Sequence, residues 1–321
     1  DPSHIHWRGS YHRLGRVERL RVAGDRLYAS NETSRVYLLN VRRPARPSIA
    51  AARRFADPVR DLAVGGRGRA WVLTPTALDL TDFSGPVPEY SNENFDVGEG
   101  VNFGGIRRGV IRGNVAYTAD WFSGIHLFDI KDPTHPRLLS SLHIPGSAKG
   151  IVVKGDYAFV ADDDHGLQVV DISDPFRPTV AGRVDTPGLA YIPFLAGNRL
   201  YLASHGGGFQ VIDVSDPRRP AVLASQPTPD RAWAIRVRGD TAYVAADAAG
   251  LLTYDIHDPK HIRPLGAFRP GGYAEDVAVH GDYALVACFD QGLYVVDIHD
   301  PRHPRQVAHL ALPGNARGID I

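Results

Sequence analysis

Eight large polar or aromatic side chains recur at one position of a sequence repeat, and their types and spacing suit contact with a ligand. They stand at the start of each repeat's first predicted strand, where the flanking positions are small or aliphatic. These rim residues are Glu18, Arg60, Arg107, Lys149, Tyr191, Trp233, Glu275 and Arg317. A fold requirement would repeat one residue type, whereas a ligand site needs different groups at the shared position. We expect a functional rim; the alternative is polar lining of a water-filled channel.

The chemistry of these residues suits binding of an anionic small molecule, a glycan or a protein. Cationic side chains form charge-assisted hydrogen bonds with carboxylates and sulfates. Those available are Arg60, Arg107, Arg108, Lys149 and Arg317. Aromatic rings stack on apolar or sugar faces. Those available are Trp121, Tyr191 and Trp233. The acidic residues Glu18, Asp162 and Glu275 complete the predicted ligand-binding set.

An enzyme acting on an acidic polysaccharide is the alternative function. β-Elimination beside a uronate needs a cation to neutralise the carboxylate, a base for the C5 proton and an acid for the leaving oxygen. Arg107, Arg108 and Lys149 offer the cation, while Tyr191 and His205 belong to one repeat. If the protein is a carbon–oxygen lyase, we expect Tyr191 and His205 to be its catalytic pair.

Three consecutive carboxylates invite a calcium interpretation, because hard cations bind several oxygens. They are Asp162, Asp163 and Asp164, and their spacing lacks the full loop of a known calcium motif. The 14 histidines show no HExxH or comparable ligand spacing. No phosphate-binding loop, nucleophile elbow or dinucleotide fingerprint is present in the sequence. We expect no cofactor, with calcium near the three aspartates as the less favoured alternative.

An aliphatic run ending in Asp, usually followed by Asp-Pro, recurs at a step of 42 residues. In five successive copies the Asp that ends the run is Asp129, Asp171, Asp213, Asp255 and Asp297. Each unit divides into four short strands, A to D, rich in Val, Ile, Tyr and Phe and bounded by Gly, Asp or Pro. Strands A and B meet at Gly-Asp or Gly-Asn pairs that favour two-residue hairpins. Four antiparallel strands in 42 residues match one blade of a β-propeller.

The blade geometry separates the polar residues into two groups. The D–A and B–C loops of a propeller emerge on one face, and the A–B and C–D turns emerge on the other. The rim residues, with Asp162 and His205 beside them, should therefore converge on one mouth of the central channel. The repeated Asp residues lie at the C–D turn, where a carboxylate accepts backbone N–H groups, and we expect them to be structural.

The sequence predicts one all-β propeller domain over residues 1–321 with under ~5% helix, since no segment shows a sustained helical period. Seven complete units cover about 17–58, 59–105, 106–146, 147–188, 189–230, 231–272 and 273–314, and the second contains a five-residue insertion. Residues 1–15 align with strand D and residues 315–321 with strand A. An eight-bladed propeller with an incomplete closing blade is favoured, and seven blades is the alternative.

The runs LQVVDIS, FQVIDVS and LYVVDIH resemble those of the LVIVD-repeat family. The resemblance covers almost the whole chain and implies a β-propeller. Most members of that family are described as surface or exported propellers of unknown role, so the resemblance implies little about chemistry.

Composition argues against two classes of partner. The 36 basic and 36 acidic residues cancel, so no overall field attracts nucleic acid or an anionic membrane. No apolar run approaches the ~18 residues of a membrane span. The single cysteine, Cys288, lies in a strand pattern that predicts an inert core thiol. Because the chain starts at Asp1 and contains no Met, we expect N-terminal processing and an extracellular, periplasmic or cell-surface location.

Overall fold

In this computed structural model the regular secondary structure is β-strand alone, within the residues that the structure describes. These residues are 17–23, 26–31, 35–40, 48–55, 59, 61–64, 69–73, 78–82, 106–132, 136–312 and 315–320. No helix occurs among them, in agreement with the absence of a helical period in the sequence.

The strands form separate sheets, and each sheet is built from strands that are consecutive in the chain, except that the last strand joins the sheet of the first four. Blade 1 contains β1 (Val17–Ala23), β2 (Arg26–Asn31), β3 (Arg35–Asn40) and β4 (Ser48–Arg54), and blade 2 contains β5 (Asp61–Val64), β6 (Arg69–Leu73) and β7 (Leu78–Asp82). Blade 3 contains β8 (Ile106–Arg112), β9 (Val115–Asp120), β10 (Gly124–Asp129) and β11 (Arg137–Leu142). Blade 4 contains β12 (Ala148–Lys154), β13 (Tyr157–Asp162), β14 (Leu167–Asp171) and β15 (Thr179–Val184).

The remaining strands continue the pattern. Blade 5 contains β16 (Ile192–Ala196), β17 (Arg199–Ala203), β18 (Phe209–Asp213) and β19 (Ala221–Gln226), and blade 6 contains β20 (Ala234–Arg238), β21 (Thr241–Ala245), β22 (Leu251–Asp255) and β23 (Arg263–Phe268). Blade 7 contains β24 (Ala274–His280), β25 (Tyr283–Cys288), β26 (Gly292–Asp297) and β27 (Arg305–Leu310). The last strand, β28 (Gly318–Asp320), pairs in parallel with β1.

The prediction of an all-β propeller with four-stranded antiparallel blades is confirmed. The predicted blade count is not confirmed, whether eight or seven. Within the described residues, six sheets have four or more strands and blade 2 has three. The parallel strand β28 makes blade 1 a five-stranded sheet, and residues 1–15 lie outside the described part of the chain.

The chain divides into two compact units, each with its own apolar core. Unit 1 comprises residues 1–71, 81–92 and 236–321, and unit 2 comprises residues 72–80 and 93–235. In unit 2 one core cluster joins the sheets of blades 3 and 4 and another joins those of blades 4 and 5. In unit 1 a cluster joins blade 7, β28 and blade 1. Strands B and C of the blades are buried, because apolar side chains occupy both of their faces.

A β-bulge at the start of strand A positions four of the rim residues. The pairing of strands A and B shifts register there, so that one extra residue stands in strand A. These extra residues are Glu18, Arg107, Lys149 and Glu275. A bulge redirects a side chain out of the regular alternation of a strand. The same backbone feature therefore carries different residue types in blades 1, 3, 4 and 7.

A backbone bridge fastens the B–C turn of one blade to the D–A loop of the next. The bridged pairs are Asp163 with Ala190, His205 with Ala232, Asp247 with Ala274, and Phe289 with Ala316. In two of them both N–H groups donate, as between His205 and Ala232, where each bond is 3.0 Å. Each alanine immediately precedes a rim residue, so the bridge fixes the rim residue against the preceding blade.

The repeated aspartates of the C–D turns act structurally, as predicted. Asp171 Oδ1 accepts the backbone N–H of Ser173 at 3.0 Å and its hydroxyl at 2.6 Å, and these bonds lower the pKa of the Asp171 carboxyl. Asp213 accepts the N–H of Ser215 at 2.8 Å in the same way. Their oxygens satisfy turn N–H groups, so these carboxylates are not candidates for catalysis.

Candidate functional site

The rim residues of blades 4 to 6 belong to one contact network in unit 2, which we call the unit 2 cluster. Its members are Trp121, Lys149, Asp163, Tyr191, His205 and Trp233. A rim residue lies 28 positions after the B–C turn residue of the preceding blade, as Trp233 does after His205 and Lys149 after Trp121. The bulge and the interblade bridge bring these two positions together.

Lys149 lies at the centre of one half of the cluster. Its Nζ is 3.4 Å from the centroid of the Trp121 ring and 5.8 Å from that of Tyr191. The same Nζ lies 3.2 Å from Asp163 Oδ2. Only 6% of the residue is exposed. The ammonium is thus held between aromatic faces and a carboxylate, and its charge is largely matched within the protein.

Three rings form the other half of the cluster. The Tyr191 and Trp233 rings meet edge to face with centroids 4.9 Å apart, and the His205 and Trp233 rings do so at 4.6 Å. Tyr191 and His205 lie roughly parallel with centroids 6.0 Å apart. Edge-to-face and offset arrangements are the favourable ones for aromatic pairs. Tyr191 therefore links the Lys149 half of the cluster to the Trp233 half.

His205 has a backbone conformation that few residues adopt. Its φ is 39°, and the equivalent Asp163 and Asp247 have φ values of 45° and 46°. Asn, Asp and His are the non-glycine residues that tolerate this left-handed region best. The backbone of His205 makes the interblade bridge, while its imidazole contacts the Trp233 ring.

Two polar atoms of the cluster are buried without a hydrogen-bond partner. They are the indole Nε1 of Trp233, a donor, and Oδ1 of Asp163, an acceptor. Buried polar groups are nearly always paired, so each such atom in a folded protein calls for an explanation.

An exposed apolar patch adjoins the cluster. Phe122 is 71% exposed and stacks on Trp121 with ring centroids 6.1 Å apart. Asp120 Oδ1 holds the turn that presents it, by accepting the N–H groups of Phe122 and Ser123. Leu189, two residues before Tyr191, is also exposed. Phe122 was missed as a candidate because no repeat period marks it; its place beside Trp121 in a B–C turn was the available signal.

The same positions in unit 1 carry a more exposed cation beside one aromatic ring and one carboxylate. Arg317 Nε lies 3.9 Å from Glu275 Oε2, and the guanidinium carbon lies 5.0 Å from the centroid of the Phe289 ring. The Arg317 side chain is 48% exposed. Below it, the buried Asp276 accepts the N–H of Ile319 at 3.2 Å and so holds β28.

Asp162 is buried, and its carboxylate holds the loop that precedes β12. Its Oδ2 accepts the N–H of Gly146 at 3.3 Å, and burial raises the pKa of the Asp162 carboxyl against the opposing effect of that bond. Asp163 faces Lys149, while Asp164 Oδ1 lies 2.7 Å from His165 Nδ1. The three consecutive carboxylates thus point to different partners. In the described part of the chain no group of three or more His, Cys, Asp or Glu side chains is arranged to hold a metal ion.

The other predicted ligand-binding residues are placed less fully. The side chains of Glu18 and Arg107, and the whole of Arg60, fall outside the described residues, while Arg108 is half-buried on β8. Convergence of all eight rim residues on one channel mouth stays a prediction. Asp163 is the cluster member that sequence reasoning assigned to calcium rather than to Lys149, although its B–C turn position is shared with His205.

The sequence profile of the LVIVD repeat matches residues 107–143, 145–186, 194–228, 230–264 and 271–309, more than half of the chain. No curated protein matches the sequence.

Solved structures of similar fold are numerous and distant in sequence. The computationally designed Ika8 protein has a TM-score of 0.73 at 10% identity, over 94% of this chain and 90% of that one. Sqt1 of Saccharomyces cerevisiae has a TM-score of 0.71 at 10% identity, over 95% and 88%. PorZ, an essential bacterial surface component of the type-IX secretion system of Porphyromonas gingivalis, has a TM-score of 0.61 at 15% identity, over 95% of this chain and 39% of that one.

At these identities the likeness shows the fold alone. Among the described residues there is no helical segment with the length and apolarity that crossing a bilayer requires.

Proposed function

This chain belongs to the LVIVD-repeat family, and from that premise we propose that it is a binding module which takes a glycan on the loops of unit 2 that carry the unit 2 cluster. The observation that carries this proposal is the unit 2 cluster, in which Trp121, Tyr191, His205 and Trp233 from successive blades lie in one contact network. A sugar offers the matching chemistry, since its C–H face stacks on aromatic rings and its hydroxyls both donate and accept hydrogen bonds.

The preference for a charged ligand would depend on the cationic residues of unit 2. Lys149 is paired with Asp163 and covered by Trp121, so its ammonium is not the main group for an incoming carboxylate. An anionic group on the ligand would instead be bound by Arg107 and Arg108 at the bulge of blade 3. We therefore propose that aromatic stacking supplies most of the affinity and that these arginines supply a preference for acidic sugars.

The test is an array of neutral and uronate-containing oligosaccharides with a parallel set of peptides, followed by calorimetric titration of the strongest hit. Trp121→Ala and Trp233→Ala should each weaken binding about tenfold, the equivalent of about 1.4 kcal/mol lost from a stacked ring. Arg317→Ala is the matched control, because it changes the equivalent position in unit 1. The proposal would be contradicted if neither Trp121→Ala nor Trp233→Ala changed the affinity, or if the protein bound peptides alone.

The second candidate function is β-elimination on a uronate glycan, and the stacked Tyr191 and His205 rings favour it. The two side chains can reach one substrate, with one as base for the C5 proton and the other as acid for the leaving oxygen. Turnover would appear as ultraviolet absorbance of an unsaturated uronate. Tyr191→Phe and His205→Gln should each abolish turnover and leave binding within about threefold. Activity that survives the double substitution would remove this pair from consideration.

Two further expectations from the sequence remain proposals. We place the protein outside the cytoplasm, in the periplasm or at the cell surface, which cell fractionation and protease accessibility of intact cells would test.

We also propose that β28 is the inner strand of an incomplete closing blade, with residues 1–15 as its outer strand. Among the described residues, β28 pairs in parallel with β1 and its Ile319 N–H donates to Asp276 of blade 7. An experimental structure that places residues 1–15 on blade 7 would contradict it.

A further inference from the structure

We propose that Trp121, Tyr191 and Asp163 form an ammonium-binding site which the chain fills with its own Lys149, and that a small alkylammonium ion occupies the site when Lys149 is absent. The proposal goes beyond glycan binding and does not depend on it, since neither the ligand nor the measurement involves a sugar.

The contacts of the Lys149 ammonium are those of a bound cation. Its nitrogen lies 3.4 Å from the Trp121 centroid, well inside the ~6 Å over which a cation is attracted to a ring face. The Tyr191 centroid at 5.8 Å is near the limit of that range, and Asp163 Oδ2 at 3.2 Å supplies the opposing charge. Two aromatic rings and one carboxylate are the groups that recognise alkylammonium ions in proteins.

Burial of the Lys149 ammonium is unfavourable unless the surrounding groups compensate for the lost water. The Lys149 side chain is 5% exposed, and removing an ammonium from water costs several kcal/mol unless charge and hydrogen bonds replace the solvent. By contrast, Lys131, Lys154 and Lys260 are exposed, and Lys154 Nζ reaches the carbonyl of Gly197 at 2.6 Å. Of these lysines, Lys149 is therefore the one whose ammonium is enclosed by aromatic rings and a carboxylate of the protein.

Among the described rim residues a buried lysine occurs in blade 4 alone, whereas its counterpart in unit 1 is the half-exposed Arg317 beside the Phe289 ring. The bulge that presents Lys149 also presents Glu275 in blade 7, and the rim positions of blades 5 and 6 hold Tyr191 and Trp233. The surrounding groups come from three blades: Trp121 from the B–C turn of blade 3, Asp163 from that of blade 4, and Tyr191 from the D–A loop before β16. Shortening Lys149 should leave the backbones of these groups in place, because the bridge between Asp163 and Ala190 holds Asp163 beside Tyr191, and Asp120 Oδ1 accepts two N–H groups of the turn that contains Trp121.

The experiment titrates tetramethylammonium chloride into Lys149→Ala, Lys149→Met and the unchanged protein, with tryptophan fluorescence and calorimetry as readouts. Lys149→Ala should bind tetramethylammonium at least tenfold more tightly than the unchanged protein or Lys149→Met, whose side chain refills the space without charge. Trp121→Ala added to Lys149→Ala should reverse most of that gain. Sodium chloride at equal ionic strength and tert-butanol, a neutral molecule of similar shape, should not bind. Equal affinities in all three proteins, when all are folded, would overturn the proposal.

A second measurement needs only proteins that keep Lys149, in case Lys149→Ala does not fold. Acetylation by an amine-reactive ester, followed by mass spectrometry, should modify Lys149 at least tenfold more slowly than Lys154 or Lys260. Trp121→Ala should accelerate modification of Lys149 severalfold and leave the other two unchanged. Equal rates at Lys149 and Lys154, or no effect of Trp121→Ala, would overturn the proposal.

Discussion

The unit 2 cluster and the Glu275–Phe289–Arg317 group of unit 1 stand on the same backbone framework and use it differently. In both, an interblade bridge places a rim residue against the B–C turn of the preceding blade. In unit 2 the result is a buried ammonium and three mutually contacting rings. In unit 1 it is an ion pair at 3.9 Å whose arginine is half-exposed. The repeat determines where a side chain stands, and its identity alone determines the chemistry.

The two groups differ in how much they cost the fold. An exposed ion pair contributes little to stability and is screened by salt, so the unit 1 group tolerates change. The unit 2 cluster buries a charge and leaves the polar atoms Trp233 Nε1 and Asp163 Oδ1 without partners. Such an arrangement is costly for the fold.

The largest expected difference between the units is in acid stability, and it comes from His126 of blade 3. This residue is buried, with Nε2 2.8 Å from Ser123 Oγ and Nδ1 2.7 Å from Ser141 Oγ. Burial lowers the pKa of His126 from 6.5 to about 4. Between these values the unfolded chain binds more protons than the folded one. Stability is therefore full above pH 6.5 and falls by about 3 kcal/mol as the pH drops to about 4.

Urea unfolding across that pH range checks the prediction, with His126→Gln as the informative variant. Gln168 and Gln210 occupy the equivalent positions of blades 4 and 5, and both amides donate to B–C turn carbonyls. The variant should lose most of the pH dependence and keep its stability at neutral pH to within about 1 kcal/mol. An unaltered pH profile would show that another group titrates.

Removing the buried cation should have the next largest effect. Lys149→Ala leaves Asp163 without its partner, and we expect a loss of about 2 kcal/mol in the free energy of unfolding, below the range for fully buried pairs because Asp163 is partly solvated. Lys149→Met combined with Asp163→Asn removes both charges and should recover more than half of the loss. A double variant no more stable than Lys149→Ala would show that packing, not charge, dominates.

The conformation of His205 leads to a smaller effect that separates its backbone and side-chain roles. With φ at 39°, His205→Val should cost about 1.5 kcal/mol because a β-branched residue is strained there. His205→Asn should cost under about 0.5 kcal/mol, since Asn tolerates this region. Thermal unfolding of both variants measures the difference. If the two are equally stable, the left-handed conformation does not constrain this position.

Arg317→Ala should have the smallest effect of the series. The guanidinium is half-exposed and its distance to Glu275 is long, so we expect a change of about 0.3 kcal/mol that vanishes at high salt. Chemical unfolding at low and high salt would reveal it. A loss above about 1 kcal/mol would mean that unit 1 depends on its rim residue as unit 2 does, and the contrast between the two regions would fail.

The sequence was sufficient for the blade architecture because the 42-residue step and the Gly-Asp hairpins are local and repeated. Gly155, for example, has a φ of 55° in its predicted two-residue turn. The common rim stays a prediction, although in the described part of the chain Lys149, Tyr191 and Trp233 belong to one contact network. The sequence did not assign Asp163 to Lys149 or reveal the rings meeting at Trp233, because these contacts join different blades. The 28-residue spacing between a B–C turn residue and the next rim residue is present in the sequence. The bulge and the bridge, which bring the two residues into contact, are seen only in the structure.

The most direct test of ligand binding at the unit 2 cluster is a nitrogen–proton spectrum of the four tryptophan indoles during titration with a uronate trisaccharide and with its neutral counterpart. Trp121→Phe and Trp233→Phe assign the two relevant signals, and Trp7 and Trp71 serve as internal references. We predict that the Trp233 and Trp121 signals shift together with one affinity, tighter for the uronate, while the reference signals stay in place. Shifts confined to Trp7 or Trp71, or none at saturating concentrations of either sugar, would contradict the assignment of glycan binding to this cluster.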